Sequence, residues 1–215
     1  MKRKHLVMAA LCPFALTFAG LMVYAGESNK MSPEFRKQFL ENFHRTSLNT
    51  TPGDAMMLRI LVESAGAKRG VEVGTASGFG ALNMGIAFER TGGHLWTHDI
   101  NPKAVQETQE NLKKVGLENV VTCVEGDALQ TLQKMEGPID FVFIDALKRD
   151  YFKYFKILEP KLKVGAVVVA DNVIVSAREM KDYLDFVQTS PDYDTVIIRA
   201  SMEKKDGMSV SYKIK

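Results

Sequence analysis

The chain predicts an α/β protein of three layers: a seven-stranded, mostly parallel sheet lies between two layers of helices and ends in an antiparallel hairpin. Three observations predict it. From Lys68 onward, short β-branched runs alternate with amphipathic helical patterns, the order that builds parallel strands joined by crossover helices. The first run, Val71-Glu72-Val73, leads into glycines at 74, 78 and 80 and then an apolar helical pattern through Ala81, Leu82, Met84 and Ile86. Strand, tight turn and helix N-terminus in that order present backbone N–H groups to a nucleotide-like ligand. The last two runs, Thr195 to Ala200 and Met208 to Ile214, flank the turn-forming Lys205-Asp206-Gly207 and read as a hairpin.

Taken in order, the chain opens with Lys2, Arg3 and Lys4 and then has no charged residue from Leu6 to Gly26. Val23-Tyr24-Ala25 suits a small-residue cleavage site, so residues 1–26 read as a secretory signal peptide. The run is also long enough to span a bilayer, and an uncleaved anchor through residues 5–26 is the competing reading. Either would place the domain at a membrane or outside the cytoplasm; without a working leader the chain would be cytoplasmic. Residues 27–47 form a helical extension opened by Ser32-Pro33-Glu34, which has N-cap, first-turn proline and acidic residue in place, with an apolar stripe of Phe35, Phe39, Leu40 and Phe43. Thr50-Thr51-Pro52-Gly53-Asp54 breaks the chain before a second helix whose Met56, Met57, Ile60, Leu61 and Ala65 recur at helical spacing and read as core. The remaining strands are expected at 71–75, 94–100, 120–125, 140–145 and 166–171. Helices are expected at 78–90, 102–115, 127–135, 148–163 and 177–189.

Composition limits the function classes. The 215 residues suit one domain beyond the leader, here 48–215, with a core that needs no disulfide. The formal charge of +2 reflects the leader: without Lys2, Arg3 and Lys4 there are 25 basic residues against 26 acidic. That balance gives no general attraction to nucleic acid. Cys12 lies in the leader and Cys123 in a predicted strand, so the body has neither an internal disulfide nor a cysteine metal cluster.

Ligands of open α/β sheets gather outside the carboxyl ends of the strands, and acidic residues recur there: Glu72 in the first strand, Asp99 ending the second, Asp127 after the third, Asp145 ending the fourth and Asp171-Asn172 ending the fifth. The glycine spacing G-x-x-x-G-x-G is not the dinucleotide pattern, so the turn indicates an adenosine-type ligand of unspecified kind. Asp99 stands where a carboxylate meets a ribose diol; capping of the helix from Pro102 is the weaker reading, since Asn101 can do that. Asp127 is read equally well as a helix cap. Asp145, Asp171 and Asn172 offer hard oxygen donors without imidazole or thiolate, a set suited to Mg²⁺, Mn²⁺ or Ca²⁺. Lys148, three residues after Asp145, faces either that site as a base or solvent within Lys148-Arg149-Asp150; the spacing leaves both open.

These residues resemble a known family. Val71-Glu72-Val73-Gly74 with Gly78, Asp99-Ile100-Asn101-Pro102, Gly126-Asp127-Ala128, Phe143-Ile144-Asp145-x-x-Lys148 and Ala170-Asp171-Asn172-Val173 make the chain, from about Leu48 on, similar to class I S-adenosylmethionine (SAM)-dependent O-methyltransferases of the cation-dependent catechol and caffeoyl-CoA type. The first motif is generic; the Asp145-x-x-Lys148 and Asp171-Asn172 pair is much narrower. The resemblance implies a Rossmann-like methyltransferase sandwich. It implies that SAM is held by Thr50, Thr51, Glu72, Gly74, Thr75, Gly78 and Gly80, by Asp99 at the ribose, by Ile100, Asp127 and Ala128 at the adenine, and beside Asp145. It implies Mg²⁺ on Asp145, Asp171 and Asn172, and catalysis by Lys148 and Asp145. The acceptor would be a small hydroxylated molecule, a vicinal aromatic diol above all, and relatives are often homodimers. Two positions depart from the family pattern. Gly80 stands where many members carry a serine for the cofactor's carboxylate, and the second acidic residue of catechol-specific members has no counterpart near Ala200 to Glu203, where Glu203 is displaced. A non-catalytic SAM- or nucleotide-binding module and a nicotinamide-dependent oxidoreductase are the alternatives; the glycine spacing, the oxygen triad and the hairpin stand against the second.

Overall fold

In the computed structural model, which describes residues 32–215, the chain enters the fold at Ser32. The leader expected over residues 1–26 lies outside the described residues, and among the described residues no helix is long and apolar enough to cross a membrane. Ser32 caps α1 (Pro33–Glu41), its hydroxyl accepting from Phe35 N at 3.1 Å. Phe35, Phe39 and Phe43 run in contact down one face to Phe79. Arg36 ties the helix down: it is buried, donates to Val115 O at 2.8 Å and pairs with Glu89.

Thr51 caps α2 (Pro52–Ser64). Its buried face is Asp54, Ala55, Leu58 and Val62, with Met57 and Leu61 at the flank, while Met56 and Ile60 stand about half exposed. The apolar stripe read from the sequence is therefore rotated from the true one: Leu58 and Val62 enter the core with Met57 and Leu61 beside them, while Met56 and Ile60 face outward.

The strands are β1 (Arg69–Val73), β2 (His94–Asp99), β3 (Val121–Glu125), β4 (Ile139–Ile144), β5 (Leu162–Ala170), β6 (Tyr193–Ile198) and β7 (Met208–Lys213). They form one seven-stranded sheet in the order β3-β2-β1-β4-β5-β7-β6, parallel except for β7, which pairs antiparallel with β5 and β6. Helices α3 (Phe79–Thr91), α4 (Pro102–Lys114), α5 (Ala128–Thr131), α6 (Tyr151–Leu158) and α7 (Lys181–Thr189) make the crossovers. The alternation along β4 and β5 splits the core in two. Val142, Ile144, Val168 and Ala170 face Tyr151, Phe155 and Tyr183, whereas Phe141, Phe143, Val167 and Val169 face Leu58, Leu82 and Phe88.

Three boundaries differ from expectation. The helix expected over 148–163 is α6 with a 3₁₀ turn at each end, Lys148–Asp150 and Glu159–Lys161. The one expected from 177 begins only at Lys181, after a run of turns, and β5 starts at Leu162 rather than 166. The terminal strands pair as predicted but not through a tight turn: the connection 199–207 is a long excursion that returns over the carboxyl edge of the sheet.

Candidate active site

The strand order reverses at β1, which has β2 on one side and β4 on the other, and this is the switch point where open α/β sheets bind ligands. Backbone pairing continues past the strand ends there. Asp145 N donates to Val73 O at 2.8 Å, Asp171 N to Ile144 O at 3.0 Å and Gly74 N to His98 O at 2.8 Å. The acidic residues at the ends of β2, β4 and β5 are thereby fixed at one edge.

A cleft of about 920 Å³ opens above that edge, within the range of a drug-sized ligand. Gly74, Asp99, Ile100, Asp127, Ala128, Asp145, Lys148, Asp171 and Asn172 all line it, with Thr51, and residues 45–49 and 203–204 form its rim. A small annex beside it is lined by Thr50, Glu72, Thr75 and Gly80 together with Asn49, Gly74 and Asp145. Gly78 lines neither; it caps α3 in a left-handed conformation and backs onto Thr108.

The turn 74–78 is built around Asp99, whose Oδ2 accepts from Thr75 N at 3.0 Å and Ala76 N at 3.1 Å while Oδ1 accepts from Asn101 N at 2.9 Å. Asn101 caps α4 itself, as expected. Asp127 caps α5 through Leu129 N at 2.9 Å, the alternative its position allowed, and still borders the cleft. Gly80 owes its identity to Glu72: a Cβ there would stand 2.6 Å from Glu72 Oε1, so a serine needs Glu72 to move. Two other donors serve the annex. Asn49 Oδ1 accepts from Thr46 N and Ser77 Oγ, both at 2.8 Å, which leaves Asn49 Nδ2 buried without a partner, as is Thr50 Oγ1.

Burial above all pushes Glu72 up to about 8; the Asp145 and Asp99 charges add to it, and the Thr97 hydroxyl works against it. Because the folded value lies above the ordinary carboxyl value, this group's contribution to stability is full below about pH 4.5 and is lost as pH rises through about 8. Glu72→Gln, measured by chemical denaturation without cofactor, is therefore expected to gain on the wild type as pH rises through this window, reaching a few kcal/mol at pH 9. Equal pH dependence in the two proteins would overturn this assignment.

Lys148 turns inward: its Nζ donates to Asp145 Oδ1 at 2.8 Å and to Tyr151 OH at 2.9 Å. Asp171 is buried, and burial first, then the Asp145 charge, push it up to about 6. Asn172 sits in the left-handed region at φ 60, a conformation asparagine tolerates, and donates Nδ2 to Asp206 Oδ2 at 3.1 Å. Asp206 also accepts from Ile174 N, Val175 N and Gly207 N at 2.8–3.1 Å. These donors outweigh burial and hold it below the usual carboxylate range. With the amide nitrogen so committed, the Asn172 carbonyl oxygen is the atom free to act as a ligand.

The donor chemistry fits a divalent cation. Asp145, Asp171 and Asn172 bring hard oxygens to one cleft, and Asp171 is raised by burial first and then by the Asp145 charge beside it. Among the described residues no three His, Cys, Asp or Glu side chains gather into a cage, so two carboxylates and one carboxamide are what the protein can offer, with other positions left to water or substrate. Asp54, Lys204, Asp206, Asn49 and His98 also belong to the site and carried no signal in the sequence. Lys204 Nζ lies 2.6 and 2.8 Å from the Asp171 oxygens and 3.0 Å from Asp54 Oδ2; Glu203 pairs with Arg45 across the rim at 3.1 Å. His98 is buried, its Nε2 without a partner, and burial lowers it to about 4, so it stays neutral.

Comparison with known proteins places the chain among relatives. A family model described as O-methyltransferase matches residues 23–190. An O-methyltransferase, ankF, of Aspergillus thermomutatus is 31% identical over 138 residues, 63% of this chain and 58% of that protein. A catechol O-methyltransferase of Niastella koreensis is 32% identical over 140 residues, 63% of each chain. The matches thus span less than two thirds of those relatives' lengths. The crystal structure of the O-methyltransferase TomG from Streptomyces achromogenes, involved in tomaymycin synthesis and in complex with SAM, superposes with a TM-score of 0.75, covering 91% of this chain and 96% of that one at 21% identity.

Proposed function

The chain belongs to the O-methyltransferase family, and we propose that it transfers a methyl group from SAM to a hydroxyl of a small acceptor in a divalent-cation-dependent reaction, with a vicinal aromatic diol as the natural substrate. The observation that carries this reading is the convergence of Asp145, Lys148, Asp171 and Asn172 on one cleft beside the glycine turn.

SAM supplies a methyl group already activated by its sulfonium. Asp99, whose Oδ1 accepts only one hydrogen bond within the protein, holds the ribose hydroxyls, and Ile100 and Ala128 flank the adenine with Asp127 at its edge. Glu72 lies in the annex at the methionine end, where the cofactor's positive charges favour its ionised form, so binding releases a proton from a carboxyl that is neutral in the free protein at pH 7. Asn49 Nδ2 and Thr50 Oγ1 are the buried donors that meet the cofactor's carboxylate in place of the family's serine.

Asp145, Asp171 and the Asn172 carbonyl would hold Mg²⁺, which would supply the charge that lowers the pKa of a chelated hydroxyl. Asp206 fixes the Asn172 amide so that its oxygen and not its nitrogen is presented. Lys148, as the amine left once its ammonium has given up a proton to solvent beside the bound cation, would receive the hydroxyl proton; the oxygen forms its bond to the methyl carbon, the carbon–sulfur bond breaks and its electron pair stays on sulfur. The apolar leader over residues 5–26, as cleaved signal or anchor, delivers this domain to a membrane or beyond it, and sequencing the mature N-terminus in separated membrane and soluble fractions tests that.

The function itself is tested with the full chain, SAM, Mg²⁺ and a panel of catechols, hydroxycinnamates and single phenols. We expect S-adenosylhomocysteine only with vicinal diols, stopping in EDTA and returning with Mg²⁺. Full turnover in excess EDTA would refute the cation requirement, and equal rates on single phenols the diol requirement.

A further inference from the structure

The carboxylates read as cation ligands already have a cation of the protein's own. Lys204, on the 199–207 connection, places one ammonium nitrogen 2.8 and 2.6 Å from the two oxygens of Asp171 and 3.0 Å from Asp54 Oδ2. Both carboxylates are buried, and Asp54 is held in position by the Thr51 hydroxyl at 2.8 Å, with its other oxygen unpartnered. Lys204 thus occupies both oxygens of Asp171, of which Oδ1 also accepts from Asn172 N at 2.7 Å, and it opposes metal binding there, since an ammonium and a divalent cation at one carboxylate repel each other.

The segment is built to hold this lysine in place and also to let it go. Its two ends are fixed. A Cβ on Gly53 would stand 2.6 Å from Ala200 O, so the connection rests directly on the first turn of α2, and Asp206 anchors the far end with four hydrogen bonds to 172–175 and 207. Between those anchors Met202 is fully exposed, and Glu203 is held by its N–H to Ser201 Oγ at 3.1 Å and by a rim ion pair with Arg45, the latter a contact of small energetic weight. The middle can move without its ends.

Resting on the cation-dependent reading above, we infer that Lys204 is an intramolecular counter-ion that occupies the metal's side of Asp171, so that cation uptake is an exchange in which Lys204 leaves Asp171 and Asp54. The site then holds three carboxylates (Asp54, Asp145, Asp171) against two ammoniums (Lys148, Lys204) without metal, and a divalent ion replaces the second ammonium. The exchange sets a modest intrinsic affinity and couples metal loading to movement of the segment that forms the cleft's rim.

The test is Mn²⁺ binding to the full chain, followed by titration calorimetry and by the electron paramagnetic resonance of free Mn²⁺, without SAM or acceptor. Lys204→Met is expected to bind about tenfold or more tightly than wild type, since a competing charge has been removed. Lys204→Gln serves as the second neutral variant should Lys204→Met fold poorly. Lys204→Arg keeps the competing charge and stays near the wild-type value. In the unmodified protein, Mn²⁺ is expected to speed amide hydrogen exchange over 201–205. If wild type binds Mn²⁺ and the neutral variants bind no more tightly, the exchange is overturned and the metal reading stands. If neither wild type nor any neutral variant binds Mn²⁺, the metal reading itself fails, and the exchange with it.

Discussion

Asp145→Ala and Asp171→Ala are each expected to lower methyl transfer by about 10³-fold or more while SAM affinity changes only a few-fold. The asymmetry follows from placement. The turn 74–78 is organised by Asp99, and the annex is lined mainly by Glu72, Asn49, Thr50, Thr75 and Gly80 with Asp145 only at its border, so most of the contacts proposed for the cofactor are expected to survive loss of either carboxylate. The acceptor side does not. Asp145→Ala leaves Lys148 with only the Tyr151 hydroxyl, and Asp171→Ala removes the partner that, with Asp54, positions Lys204. Lys148→Ala belongs to the same experiment, with an expected loss of about 10²- to 10⁴-fold in turnover that no added metal restores. SAM titration and single-turnover rates read the two effects separately. Parallel losses in both would show that these carboxylates hold the fold of the cleft and not the reaction.

The parts of this site that could be read from the sequence are those that strands place. A carboxylate at the end of a parallel strand has its position fixed by the ladder, so Asp99, Asp145 and Asp171 were recoverable from β-branched runs and their last residues, and the structure sets them at one edge by backbone bonds. The glycine turn was legible for the same reason. What connections place was not. Asp206 reads as a member of a hairpin turn, because Lys205-Asp206-Gly207 has turn chemistry; in the fold it instead accepts from four donors, and Lys204, just before that turn, reaches Asp171. No local pattern encodes that reach, which depends on β7 lying between β5 and β6 and so carrying the 199–207 segment across the strand ends. Asp54 was hidden differently. It reads as a first-turn acidic residue of α2, which it is, and only its burial beside Lys204 gives it a second partner. The displaced stripe of α2 has the same origin: with Met56, Met57, Ile60 and Leu61 spread over a wide arc, periodicity cannot say which edge of the arc turns inward.

Gly74→Ala is the second large effect, and it tests the switch-point geometry without touching a charge. Gly74 has φ +95, and a Cβ there would lie 2.1 Å from the carbonyl oxygen of Asp145. That oxygen is backbone, fixed at the residue whose N–H bonds Val73 O at 2.8 Å, so no rotamer change relieves the clash. The ends of β1 and β4 must part, which costs about 1–3 kcal/mol of overpacking on top of about 1–2 kcal/mol for the left-handed backbone. Parting them also moves the Asp145 carboxylate and widens the annex at Glu72. The expected result is a fall of a few kcal/mol in unfolding free energy together with loss of both SAM binding and turnover. Gly66 supplies the control, since it has φ +57 and nothing within 4 Å of its would-be Cβ. Gly66→Ala bears only the backbone cost, about 1–2 kcal/mol, and leaves SAM affinity unchanged. Were Gly74→Ala to match Gly66→Ala in both denaturation and SAM titration, the close approach of β1 and β4 would not be what shapes the cofactor's seat. If it fails on both counts, the glycine turn acts as a spacer that sets the distance between the cofactor's turn and the carboxylate at the end of the neighbouring strand.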